Sequence, residues 1–324
     1  MRGRIPDRGR EPPVKYRDEF RQVRVLLIEL PMGRRVLRTA LGSFDITKIE
    51  EWNEVRTDPG DLATLASFDL IIANIDEADD SAAVLLRSLR NGTIPGNPFV
   101  PAIVTCNSPT PTTVRAAVDC GADAVVLKPY SLKQIMDPIT ALVDRRRPFV
   151  VTSDYVGPER RTFQREGQVI DQIVVPNPLA AKVLNLDPAE QAAATEAAMA
   201  RIEQQKSQRL VFQALFLVRL AGFVTMSTAA PAARRDLARL PSLVRDLALR
   251  LKNPIEYAYL QSFANWAVVY PGLIDEDARR SSCDDAAEAL GGLLQQLGGT
   301  ETPAESIAQA DRAVFNYCQR LSAA

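Results

Sequence analysis

The chain has 324 residues, 46% apolar and 24% charged, with a net charge of −1 at pH 7. This is the composition of a folded protein of about two ordinary domains, with no global electrostatic pull toward nucleic acid or anionic lipid. The absence of histidine excludes Ser-His-Asp and Cys-His catalysis, most zinc sites and any phosphohistidine relay carried by this chain. The cysteines Cys106, Cys120, Cys283 and Cys318 are scattered with no CxxC pair, which fits reduced thiols better than a disulfide framework.

Residues 1–22 are basic and Pro-rich without an apolar core, so they read as a flexible tail rather than a secretory signal. Asp7 and Glu11 dilute Arg2, Arg4, Arg8 and Arg10, which argues against a nucleic-acid-binding arm. From 23 to 147 strand and helix alternate. VRVLLIE (23–29) is the continuous apolar run of a strand covered on both faces. GRRVLRTAL is helical, FDITKIE (44–50) alternates like a strand, and DPGDLATLAS is a short helix. DLIIAN (69–74) is a buried strand, followed by the helix AAVLLRSLR stopped at Asn91-Gly92. NPFVPAIVT (97–105) predicts the fourth strand and TPTTVRAAVDCG a helix stopped at Gly121. DAVVL is the fifth strand, and SLKQIMDPITALVDRR a helix interrupted by Pro138. Five β/α pairs predict an α/β fold with a doubly wound parallel sheet, whose chemistry collects at the carboxyl ends of the strands.

Residues 148–187 hold short β-like runs, prolines and paired arginines, and read as an ordered connector with a small strand pair. From 188 to 324 everything reads as an all-α bundle. An Ala-rich helix (187–205) is followed by a separate apolar helix centred on 212–223, then by PSLVRDLALRL, PIEYAYLQSFANWAVV and DAAEALGGLLQQL. The last helix opens with Thr302, Pro303 and Glu305 in a capping-box arrangement. The apolar run 210–226 is at the short limit of a membrane span and contains Arg219, so a buried bundle helix and a cytoplasmic chain are expected. Helix 208–226 is also the candidate face for a homodimer. Tyr257, Tyr259, Phe263, Trp266 and Tyr270 read as core rather than as a ligand pocket.

At the strand ends stand Glu29, Asn74, Cys106 and Lys128, with Asp76 just beyond the third strand. The stretches VRVLLIELPMGRRVL, FDLIIANIDEADDSAAVLLRSLR and VPAIVTCNSPTPTTVRAAVDCGADAVVLKPYSL resemble the receiver domain of bacterial response regulators over 23–145. GADAVVLKP is the most specific of these pieces. The resemblance implies a flavodoxin-like five-stranded sheet with a helical C-terminal domain added. Receivers hold Mg²⁺ with two adjacent acids after the first strand; Glu29 matches the first and Leu30 the second. Asn74 stands where the phosphoacceptor aspartate would be. Cys106, 22 residues before Lys128, stands for the Thr or Ser that ends the fourth strand. Lys128 and Pro129 match the family's Lys-Pro pair with its cis bond, and Tyr130 the aromatic position after it. DYVGPERR (154–161) resembles a segment that follows receivers in some response regulators. Its Arg160 and Arg161 are either salt-bridged or a docking point for an acidic patch.

Aspartyl phosphorylation needs a carboxylate nucleophile and a divalent cation. The Asn74 amide is a poor nucleophile, Leu30 removes an oxygen ligand, and a thiol at Cys106 is a weaker donor than a hydroxyl. Three readings stand: Asn74 simply pairs with Lys128; the pocket is fixed in an activated-like state with Lys128 bonded to Glu29 or Asn74; or Asp76 is a displaced acceptor. Glu29 and Asp76 are the candidate cation ligands, and Mg²⁺ is expected only if the pocket is active. Cys106 is either a thiol activated by Lys128 or a small buried residue, and loop 75–80 a solvated helix entry. The expected function is non-enzymatic: phosphorylation-independent signal transduction through protein partners of the helical domain, a sensor kinase among the candidates. Alternatives are a phospho-responsive response regulator or a DNA-associated transcriptional regulator. Neither a membrane nor a nucleic-acid partner is expected.

Overall fold

The computed structural model describes residues 16, 18–76, 79–108, 110–152, 155–160, 171–224, 235–251, 253–273 and 275–322. Positions 1–15 of the basic tail, 77–78 of the acidic loop, and Asp154 and Arg161 of the connector lie outside the described residues. The chain divides into two compact units, 1–199 and 200–324.

The first unit is built on strands β1 (Arg24–Ile28), β2 (Lys48–Trp52), β3 (Leu70–Asn74), β4 (Ala102–Cys106) and β5 (Ala124–Leu127). All pair in parallel, in the order β2-β1-β3-β4-β5. That is the flavodoxin-like arrangement, which reverses direction between β1 and β3 and opens a crevice at their carboxyl ends. Helices α1 (Pro31–Gly42), α2 (Pro59–Thr64), α3 (Ser81–Asn91), α4 (Pro111–Asp119) and α5 (Leu132–Asp144) complete the crossovers. On one face Val25, Leu27, Leu70, Ile72 and Ile103 pack against Leu37 and Leu41 of α1 and Ile135 and Ile139 of α5. On the other, Leu26, Ile71, Ala73 and Val104 pack against Leu85, Leu86 and Leu89 of α3 and Ala117 of α4. Burial on both faces is why β1, β3 and β4 read as unbroken apolar runs. Gly92 (φ 69°) and Gly121 (φ 77°) follow α3 and α4 in the left-handed region, as the helix stops required. Ser131 and Gln134 form a capping box at the start of α5, which carries Pro138 within it.

Three boundaries differ from the sequence expectation; the fourth strand begins at Ala102 rather than at position 97. The second strand begins at Lys48, not at position 44, because Asp45 takes a left-handed conformation (φ 64°) directly after α1 and Ile46 turns into the core. Part of the expected tail is folded ahead of β1: Glu19–Gln22 is a 3-10 turn whose Phe20 is fully buried in the α1/α5 core. A large aromatic side chain gains too much by burial to be left in a solvated tail.

The connector region supplies an antiparallel pair, β6 (Phe149–Val151) and β7 (Val156–Pro158), and the short α6 (Pro178–Val183). Leu179, Ala180 and Val183 of α6 join the α1/α5 core. Helix α7 (Pro188–Val224) is one 37-residue helix where two were expected. Between 189 and 221 it contains neither Gly nor Pro, so nothing local stops it.

In the second unit, the C-terminal part of α7 packs with α8 (Leu240–Arg250), α9 (Pro254–Val269), α10 (Glu276–Gln296) and α11 (Pro303–Ser322). The core joins Val211, Leu215 and Val218 of α7 to Leu247, Phe263 and Leu290. Much of helix 208–226, the expected homodimer face, packs inside its own bundle, while Phe223 is 50% exposed. Arg219 bonds Asp284 of α10 and Asp311 of α11 at 2.5 and 2.6 Å, which accounts for a charge in that apolar run. No described helix is long and apolar enough to cross a membrane. Of the aromatic cluster, Phe263 and Trp266 are core, while Tyr257 is exposed.

Candidate functional site

Side chains on a strand alternate between faces. The face bearing Val25 and Leu27 therefore continues to Glu29, Leu70 and Ile72 to Asn74, Ile103 to Thr105, and Val126 to Lys128. These four converge beyond the carboxyl edge. Lys128 Nζ donates to Asn74 Oδ1 at 2.8 Å and to Glu29 Oε1 at 2.8 Å, and lies 2.7 Å from Glu29 Oε2. Glu29 is 2% exposed. Its Oε2 accepts from the Thr105 hydroxyl at 2.9 Å and its Oε1 from the Leu30 backbone N–H at 2.9 Å. The Lys128–Pro129 peptide bond is cis. Tyr130 packs against the α1/α5 core, and burial, with Glu29 adding to it, pushes its phenol up to about 12.

The sequence-predicted residues are only partly brought together. Glu29, Asn74 and Lys128 form one network. Cys106 does not join it: it lies on the opposite face with Ala102 and Val104, fully buried. Burial pushes its thiol up more than Lys128 pulls it down, so it is no activated thiolate. The hydroxyl at the end of β4 is Thr105, which pairs with Asn74 in the β3–β4 register. A fixed distance from Lys128 selects Cys106, whereas period-two alternation from Ile103 selects Thr105; the strand geometry prevails because a shift of one residue changes the face. Leu30 is 55% exposed at the entry to α1. Asp76 is half-buried, accepts from Asn107 Nδ2 at 3.2 Å and exchanges backbone hydrogen bonds with Asp79.

The oxygen donors do not suit a hard divalent cation. Both oxygens of Glu29 and the side-chain oxygen of Asn74 already accept hydrogen bonds, Lys128 bonds both residues, and the Leu30 side chain offers no oxygen. Among the described residues, no three His, Cys, Asp or Glu side chains cluster as a metal site.

Gly33 makes room for this network. A Cβ there would lie 2.6 Å from Glu29 Cδ, whereas at Gly42, in the same helix, it would meet nothing within 4 Å. Helix propensity favours Ala over Gly by about 1 kcal/mol at either position. Gly42→Ala is therefore expected to raise the urea midpoint. Gly33→Ala is expected to lower it, because displacing a pinned side chain costs about 1–3 kcal/mol. Equal shifts would mean Glu29 is free to move.

A second polar network, missed from sequence, lies at the opposite, amino edge of the sheet. Asp123, the turn residue of GADAVVLKP, receives Arg146 Nε at 2.7 Å and Nη2 at 3.0 Å, Arg90 Nη2 at 3.2 Å and the Ala102 N–H at 2.9 Å. Arg90 also donates to the carbonyls of Gly121, Pro98 and Val100, and Arg146 to those of Phe99 and Pro176. The Phe149 ring lies within 5.4 Å of both guanidiniums. Arg160, a candidate for docking an acidic patch, donates to the Ala122 carbonyl. The connector is thus clamped to the sheet by buried cations, away from the Lys128 pocket. Burial lowers Arg90 to about 10 against the pull of Asp123.

No protein-family model matches this chain, and no curated protein matches it. Among solved structures, a pilus assembly-related protein from Burkholderia pseudomallei is similar over 37% of this chain and 88% of its own, at 13% identity and a TM-score of 0.31. At that level the fold assignment rests on the sheet order alone.

Proposed function

We propose that this chain is a receiver-like signalling protein, non-enzymatic and independent of phosphorylation, that acts through protein contacts of its helical unit. The observation that carries this reading is the carboxamide of Asn74 at the end of β3, held by Lys128 at 2.8 Å. A phosphoryl acceptor at that point would need a carboxylate and a cation beside it. In its place is a neutral amide, and the Glu29 carboxylate that shares Lys128 with it is already neutralised by that ammonium. The retained sheet order, Lys-Pro pair and carboxyl-edge geometry support descent from a reacting pocket that now has a structural role.

Incubation of the full chain with Mg²⁺ and acetyl phosphate, followed by intact-mass measurement, is expected to show no added phosphoryl group. Stoichiometric labelling would overturn the reading. If the label then disappeared in Asp76→Asn, the acceptor would be Asp76, and the chain would be a phospho-responsive regulator.

A further inference from the structure

Within the second unit, helices α7, α10 and α11 border a groove of about 960 Å³, the size of a small-molecule site. Its floor is apolar and buried: Cys283 and Val314 line it and are each 2% exposed. Gly222 keeps the floor open, because a Cβ there would sit 3.4 Å from Cys283 Cβ. Phe223 of α7 and Phe315 of α11 border the same groove, 50% and 55% exposed. No other described phenylalanine is exposed. An aromatic ring left in water forgoes a large gain from burial, and here two do so at one concave place.

We infer that this groove binds a small aromatic organic anion. The ring follows from the lining. Phenylalanine rings attract another ring edge-on or offset, a cysteine sulfur is polarizable and soft, and a guanidinium stacks on an aromatic face. The negative charge follows from the rim. Arg219, Arg280 and Arg312 line the groove against the carboxylates of Asp284 and Asp311. Both carboxylates are bonded by Arg219, at 2.5 and 2.6 Å, so the lining is left with a positive excess. Arg312 also borders Glu301 and Glu305 in a second cleft, but the Glu305 carboxylate accepts from the Thr302 N–H and hydroxyl. A carboxylate, sulfonate or phosphate on the ring would meet the Arg312 guanidinium in a charge-assisted hydrogen bond. A cationic ligand would be repelled, and a neutral ring would gain only the apolar contacts. This inference does not depend on the state of the Lys128 pocket.

Titration of the full chain with anilinonaphthalene sulfonate, an aromatic anion that fluoresces when shielded from water, tests it. The native chain is expected to bind a single dye saturably, with a dissociation constant on the order of tens of micromolar. Phe315→Ser and Arg312→Glu are each expected to weaken binding at least about tenfold. Both positions are exposed, so far-UV circular dichroism is expected to be unchanged. Neutral phenylnaphthylamine, which lacks the sulfonate, is expected to lose affinity in Phe315→Ser but not in Arg312→Glu. Val268, an 80% exposed apolar residue outside the groove, is the control, and Val268→Ser is expected to bind as the native chain does. A native chain that does not saturate, a Phe315 or Arg312 variant that binds the sulfonate normally, or an equal loss in Val268→Ser would each overturn the inference. A neutral dye weakened as much as the anion by Arg312→Glu would overturn the assigned charge.

Discussion

Asp123→Asn is expected to destabilise the sheet unit by about 3–5 kcal/mol, the usual cost of removing one partner from a buried charge network. Asp123 and Arg90 have side chains 2% and 1% exposed. The substitution leaves two guanidiniums buried against carbonyls and one aromatic ring, with no counter-charge. An exposed pair is the control: Asp18, whose side chain is 85% exposed beside Arg21, is worth about 0–1 kcal/mol at most. Tryptophan fluorescence can separate the two units, since the chain's two tryptophans are Trp52 in the sheet and Trp266 in the bundle. In a Trp266→Phe background, denaturation followed at Trp52 reports on the sheet unit. The pH dependence has a definite sign. Burial pushes the Asp123 carboxyl up, but Arg146 and Arg90 outweigh it, so its folded value lies below the ordinary carboxylate range. The unfolded state then binds the proton more readily. The stabilisation is complete above the ordinary value of about 3.9, and is lost as pH falls through the depressed folded value. Native and Asn-variant stabilities are therefore expected to converge in acid and diverge above it. Parallel curves would mean that Asp123 titrates normally.

What the sequence reveals follows from the range of the forces involved. The five strands were legible because each central strand is buried on both faces and reads as an unbroken apolar run, and Gly92 and Gly121 mark helix ends through a local backbone requirement. The Asp123 network was not legible because its members, Arg90, Asp123 and Arg146, are far apart in the chain, and only the folded sheet brings them together. Isolated arginines read as solvated, which is the ordinary state of that side chain. The joined α7 was missed for the opposite reason: a change of composition from Ala-rich to Leu-rich resembles a boundary, but without Gly or Pro it does not break a helix. At the candidate site, Glu29, Asn74 and Lys128 were found from strand ends alone. Thr105 was missed by one residue, although the alternation from Ile103 pointed to it.

Lys128→Met is the second change with a large expected effect, and its size depends on which partner holds the ammonium. Glu29, with its side chain 1% exposed, would keep only the Leu30 N–H and the Thr105 hydroxyl. Leaving that carboxylate unpaired is expected to cost about 3–5 kcal/mol. The double variant Glu29→Gln/Lys128→Met removes both charges and is expected to fall within about 1–2 kcal/mol of the native chain, since buried pairs replaced together are often nearly neutral. The cycle then yields a coupling of several kcal/mol between positions 29 and 128. Asn74→Ala removes a single bond from an ammonium that keeps Glu29, and is expected to cost about 1.5–3 kcal/mol. The order of these effects bears on the proposed function. If the 29–128 coupling exceeds the loss at 74, Lys128 is held mainly by the resident carboxylate, and the pocket keeps one arrangement without covalent modification. A coupling near zero would mean a solvated ammonium free to meet an incoming anion, and a phosphorylation-independent pocket would lose its physical basis.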